Sequence, residues 1–233
     1  MAQHTSHSHL EESPPYKIQL DGSWTLPDFT VFTRVFNQAY SIILVIEYDG
    51  ELLNAERRLS AFTSHAWRGA GFSAANFYQE VRATVPRALR PRIQAIQYAS
   101  PGYMDLALLS ASALTVSLMV SRVVAGLRHI TDYYDRLYKQ LHERKLTVIK
   151  TRDEEINLMR KEADFLKEQN EEFAKLMGFT QLQRLQNLTE NDLAALKIQL
   201  ALFRYLRELA KLEVTGKAKL PKPHPSDKKL GNK

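Results

Sequence analysis

The chain has 233 residues, is 44% apolar and contains no cysteine. That is enough for a good-sized domain with a packed core, and it excludes disulfides, thiolate catalysis and cysteine-held metals. The net charge of +6 is largely local, because residues 217–233 hold six Lys against one Asp; the rest is nearly neutral, so a globally basic domain is excluded as well.

Residues 1–14 (MAQHTSHSHLEESP) have neither the apolar stretch nor the basic lead of a secretory signal. They read as a disordered tail, and the expected compartment is the cytoplasm. YKIQLD (16–21) alternates, with Tyr16, Ile18 and Leu20 on one face, which predicts a short half-buried strand. Thr25-x-x-Asp28 with Pro27 in the first turn is a helix start. Phe29, Phe32, Phe36, Tyr40 and Ile43 then recur at helical spacing, so a helix is predicted over 26–47. Its last residues, IILVI (42–46), are apolar all round and predict burial on several sides.

Between Arg57 and Arg92 there are seven Arg, no Lys and one acid, Glu80. Arg82, Arg87, Arg90 and Arg92 form a candidate anion-binding patch, with Trp67, Phe77 and Tyr78 nearby as stacking platforms. The alternative is a solvated loop whose arginines pair with acids of the long helix. No RRM, KH, zinc-finger or helix-turn-helix pattern accompanies the patch. A short helix, AANFYQEVRAT, is predicted before Pro86.

RIQAIQYA (92–99) alternates again, with Ile96 and Tyr98 on one face and Ile93 and Ala95 on the other. Ser100-Pro101-Gly102 follows, with Pro and Gly where a type II turn uses them. GYMDLAL then reads as the returning strand of a hairpin. The apolar stretch 104–127 is diluted by Ser and Thr and contains Arg122. It predicts a buried helix lying on the sheet, with a membrane span as the competing reading.

From Ser110 a helical pattern runs to Met177, over about 100 Å if continuous and half that if folded back near 143–151. Ile149, Ile156, Met159, Ala163, Leu166, Asn170, Phe173 and Met177 fall on one heptad-like seam, with Asn170 at an a-type position. The seam fits a second copy of the chain or, within one chain, the last helix. That helix is predicted over 190–212 from a Thr189-x-x-Asp192 start and a very wide leucine face.

The sequence carries no nucleophile elbow, phosphate-cradling glycine loop or H-E-x-x-H pattern, so no enzyme activity, cofactor or metal is expected. Ser100, His65 and Asp105 make a triad on paper only. The expected fold is α+β. A small antiparallel sheet of about three strands (15–21, 92–99, 102–108) packs with helices at 26–47 and 110–125, and a long helix or helical hairpin with coiled-coil character follows. The expected units are a disordered tail (1–14), a small α+β domain (15–126), a long helical region with a return helix (127–216) and a disordered basic tail (217–233). The expected function is a non-catalytic interaction or scaffold protein. It self-associates as a homodimer through the long helix and presents the small domain to a protein partner. The alternatives are a membrane-associated protein anchored by 104–127 and a nucleic-acid-binding module using 57–92.

Overall fold

The computed structural model of the protein describes residues 15–53, 58–59, 62, 74–144, 146 and 152–222. Its elements in chain order are β1 (Tyr16–Leu20), α1 (Leu26–Glu47), α2 (Ala74–Thr84), a 3-10 turn (Arg87–Leu89), β2 (Arg92–Gln97), β3 (Gly102–Ala107), α3 (Ser110–Glu143), α4 (Arg152–Met177), α5 (Leu182–Thr189), α6 (Asp192–Val214) and β4 (Ala218–Lys219). The fold is α+β, as the alternating and helical periods predict.

The sheet is antiparallel in the order β2-β3-β1-β4. Tyr16, Ile18 and Leu20 on β1 and Met104 and Leu106 on β3 point to one buried face. Helix α1 carries a line of rings there: Phe32, Phe36 and Tyr40 stack in sequence, and Tyr16 from β1 meets Phe36 with centroids 5.9 Å apart. The start of α1 is closed by a capping box in which the Thr25 hydroxyl receives the Asp28 amide and the Asp28 carboxylate receives the Thr25 amide. Its far end, Ile42–Ile46, is buried all round, as an apolar helix end must be.

Helix α3 bends at Gly126, whose backbone leaves helical geometry. Beyond the bend α3 and α4 run antiparallel. Tyr133 donates to Gln169 at 2.8 Å and stacks on Phe173, and Arg144 reaches Glu162 further along. The long helical pattern is therefore folded back, with α3 ending at Glu143 and α4 starting at Arg152. Helix α6 lies among α1, α3, α4 and α5. The buried apolar residues form one cluster that includes the sheet, α1 and the C-terminal helices. The segments expected as separate units at 15–126 and 127–216 share this core, and their expected boundary falls at the Gly126 bend inside α3.

Two expectations at the C-terminus need correction. Thr189 does not cap the last helix. It closes α5, its hydroxyl donating to the Leu185 carbonyl, and Asn191 is the cap, accepting from the Ala194 amide at 3.0 Å. Glu190, at φ 51°, turns the chain between the two helices. Nor does disorder start at 217. Ala218 and Leu220 are buried, β4 pairs with the end of β1, and the Lys217 carbonyl accepts from the Asp21 amide and the Trp24 indole. Composition marks 217–233 as basic and Pro-rich, but it does not register the alternation Ala218, Leu220 that a sheet edge can use.

Lys217 also reaches Asp28 at 2.7 Å, joining β4 to the start of α1. Hydrogen bonds from Lys217 and from the Thr25 amide and hydroxyl hold the Asp28 carboxyl down to about 2. A depressed folded-state pKa stabilises the fold above the unfolded value, near 4, and loses that contribution as pH falls towards 2. Urea unfolding of wild type and Asp28→Asn between about pH 5 and pH 2 should give a shallower acid limb for the variant; identical slopes would exclude Asp28 as a contributor.

A candidate protein-docking edge

β2 is an edge strand: β3 pairs with one side of it, and among the described residues nothing pairs with the other. All six of its residues are exposed. The register to β3 pairs Ile93 with Leu106 and Ile96 with Met104, with a bulge between Ile93 and Ala95. Residues directly opposite in an antiparallel pair share a face. Ile93 and Ile96 therefore both lie on the inner face, with Met104 and Leu106, while Ala95 lies opposite Asp105 on the outer face. The sequence places Ile93 and Ile96 on opposite faces because strict alternation has no bulge; one extra residue at Gln94 reverses the phase.

Although they point inward, Ile93 is 52% exposed and Ile96 47% exposed, and Tyr98 just beyond is 70% exposed. Next to them an apolar cleft of about 180 Å³ opens between α1 and the sheet, with Phe32, Phe36, Pro91, Ile93, Met104 and Leu106 in its walls. The inner face is thus only partly covered towards the β2 edge.

The approach to β2 is held firmly. The Tyr40 hydroxyl donates to the Leu89 carbonyl at 3.0 Å and accepts from the Leu109 amide at 3.0 Å, tying the chain before β2 to the chain after β3. Burial pushes the Tyr40 phenol well above its usual range, so it stays neutral and able to donate. Arg90 donates to the carbonyls of Val85 and Arg82, bracing the turn after α2. Asn37 on α1 donates to the Tyr78 hydroxyl at 2.9 Å and fixes α2.

The predicted arginine patch therefore divides. Arg90 is a brace, engaged with its own backbone, whereas Arg82, Arg87 and Arg92 are exposed and form no ion pair among the described residues. The stacking platforms are otherwise engaged: Phe77 is buried against Phe62, Tyr78 is bonded to Asn37, and Trp67 lies outside the described residues.

The predicted turn differs in construction. The hairpin forms, but the Ser100–Pro101 peptide is cis and Gly102 does not adopt positive φ, so the type II geometry is absent. Glycine is required for room instead, since a Cβ on residue 102 would stand 2.4 Å from the Gln97 carbonyl oxygen and 2.8 Å from that of Ala99. The Ser100 hydroxyl donates to Asp21, and Asp105 faces Lys17 across β1 and β3. His65 lies outside the described residues.

Of the seam on α4, Leu166, Asn170, Phe173 and Met177 are buried, Ile156 and Met159 are half-buried, Ala163 is exposed, and Ile149 falls outside the described residues. The buried half faces partners in the same chain. The Asn170 amide donates to the carbonyls of Leu166 and Asp192, and its oxygen accepts from Gln199 at 2.7 Å. Phe173 meets Phe203 edge-on. The stretch 104–127 starts in β3 and enters α3 only at Ser110. By length and composition α1 and α3 are both apolar enough to cross a membrane, and 61% and 39% of their most apolar windows are buried inside the protein.

No family model, curated protein or solved structure matches this chain. The exposed inner face of β2 escapes detection by alternation, because the bulge that creates it has no glycine or proline to announce it.

Two substitutions check this geometry. Gly102→Ala forces the hairpin end apart and should cost about 1–3 kcal/mol in urea unfolding; an unchanged midpoint would mean that the backbone contact is not close. Asn170→Ala leaves Gln199 and the Asp192 carbonyl without their partner and should cost about 1–3 kcal/mol. The mass in solution should stay the same, whereas a seam shared between two chains would change it.

Proposed function

We propose that this chain is a non-catalytic interaction protein that presents its α+β face to a protein partner at the β2 edge. In this reading the helical bundle is the scaffold, and the cytoplasm is the working compartment. The observation that supports it most is the pair Ile93 and Ile96, turned to the apolar side of the sheet beside an open cleft and left half-exposed. An isolated exposed apolar residue needs no explanation, but an apolar edge strand with free backbone groups invites association.

The same geometry weakens the other readings. Among the described seam residues, self-association through α4 would have to use Ile156, Met159 and Ala163, since Leu166, Asn170, Phe173 and Met177 are buried within the chain. Membrane anchoring through 104–127 would require pulling a β-strand and the buried face of α3 out of the core. Nucleic-acid stacking on Phe77 or Tyr78 would require breaking their present contacts.

A peptide-display library panned against the full chain provides the test. Enriched clones should lose binding to an Ile93→Lys/Ile96→Lys variant, which exposure at both sites allows to fold and whose circular dichroism should match wild type. If no clone is enriched, or if the clones ignore the double substitution, the proposal fails.

A further inference from the structure

We infer that β2 receives a fifth strand from its partner, an extended segment in which acidic residues alternate with apolar ones. The inference rests on the interaction reading above and gives that partner a chemistry.

Three features converge on one edge. The first is the backbone. Along Arg92–Gln97 the backbone N–H and C=O groups that face away from β3 have no strand partner among the described residues. Strand addition draws affinity from main-chain hydrogen bonds and specificity from pockets for alternate side chains. Natural sheets blunt such edges with lysine, inward charge, proline within the strand or a bulge, and of these β2 carries only the bulge between Ile93 and Ala95. Here the strand interior is Ile93, Gln94, Ala95, Ile96 and Gln97.

The second feature is the apolar side. An added strand would set alternate side chains against Ile93 and Ile96, and one of them would enter the cleft under α1. At about 180 Å³ the cleft is large enough for an aliphatic or aromatic side chain, since an apolar cavity of roughly 150 Å³ accepts a benzene ring.

The third is charge. From Ala74 to the end of β3 at Ala107 the chain holds Arg82, Arg87, Arg90 and Arg92 against two carboxylates, Glu80 and Asp105, and Asp105 faces Lys17. Arg90 braces the turn; Arg82, Arg87 and Arg92 are exposed without a carboxylate partner among the described residues. The register puts Arg92 on the outer face, opposite Ala107, where acids at the polar positions of a partner strand would meet it. Charges at the rim of an interface steer encounter and reject like-charged competitors more than they add affinity. A second copy of this edge would bring the same excess of arginine over carboxylate. A nucleic acid would satisfy the arginines but has no strand backbone with which to extend the sheet.

The test uses defined peptides and the full chain. A labelled nonapeptide alternating Glu and Ile is titrated by fluorescence anisotropy beside a Lys/Ile version of the same pattern. The acidic peptide should bind at least about tenfold more tightly, and its advantage should shrink as salt rises. Arg87→Glu with Arg92→Glu should reverse the preference. N-methylating one alternate set of peptide nitrogens should abolish binding, while methylating the other set should be tolerated. That difference is the signature of strand pairing, and it requires no change to the protein.

Equal binding of the acidic and basic peptides, absence of binding by either, or tolerance of both methylation patterns would overturn the inference. So would two further results: binding of an oligothymidine in place of the acidic peptide, or dimerisation that Ile96→Lys abolishes. Display clones that depend on β2 but carry no acids would sink this inference while leaving the interaction reading standing. Clones that ignore β2 would sink both.

Discussion

Enclosure of α6 is the constraint on which the rest of the structure depends. From Leu193 to Phe203 every side chain of this helix is buried, including Lys197 and Gln199. A helix in that position cannot lie on a surface. It needs neighbours on all sides, and α1, α3, α4 and α5 supply them. Phe203 sits at the meeting point, 5.2 Å from Tyr134 on α3 and 5.6 Å from Phe173 on α4 between ring centroids. Offset and edge-on ring pairs of this kind add to what burial alone provides.

Buried polar groups then fix how those helices sit. Asn170 and Gln199 bond to each other inside the bundle, and such a pair resists rotation or sliding of α4 on α6, because any slip strands a buried amide. At the other end of α1, burial pushes the Glu47 carboxyl above its usual range, while the Thr115 hydroxyl donates to it at 2.8 Å. Just beyond, Asp49 takes a two-pronged contact from Arg184 on α5, and Arg58 bonds the Tyr48 carbonyl. This polar junction locks the α1 terminus to the return of the chain.

The sheet inherits its rigidity from the bundle. Tyr16 carries a ring into the α1 stack while its hydroxyl bonds to Ser117 and the Ala113 carbonyl on α3. Tyr40 straps the segments on either side of the β2–β3 hairpin, and β4 brings the chain from the end of α6 back onto β1. The edge at β2 is therefore presented on a preorganised support. That lowers the ordering cost a partner strand would otherwise meet.

Much of this was determined locally. The capping box at Thr25 and Asp28, the all-round apolar end of α1, the alternation of β1 and the extent of α2 follow from periods and side-chain chemistry that operate within a few residues. The α+β class follows from them. Decisions that depend on distant neighbours did not show in the sequence. The heptad pattern on α4 specifies an apolar stripe, but whether that stripe meets another chain or α6 depends on where α6 lies, and Asn170 suits both. Gly102 is explained by the oxygens that close around it rather than by a turn type. The β2 face depends on a bulge defined only by pairing with β3, and β4 on a sheet edge formed some two hundred residues earlier in the chain. The sequence by itself determined the α+β class, β1, the extents of α1 and α2 and the apolar stripes of the helices, because those properties repeat over short distances. Only the tertiary structure decided which apolar faces are covered and which remain open, because coverage is a property of packed neighbours.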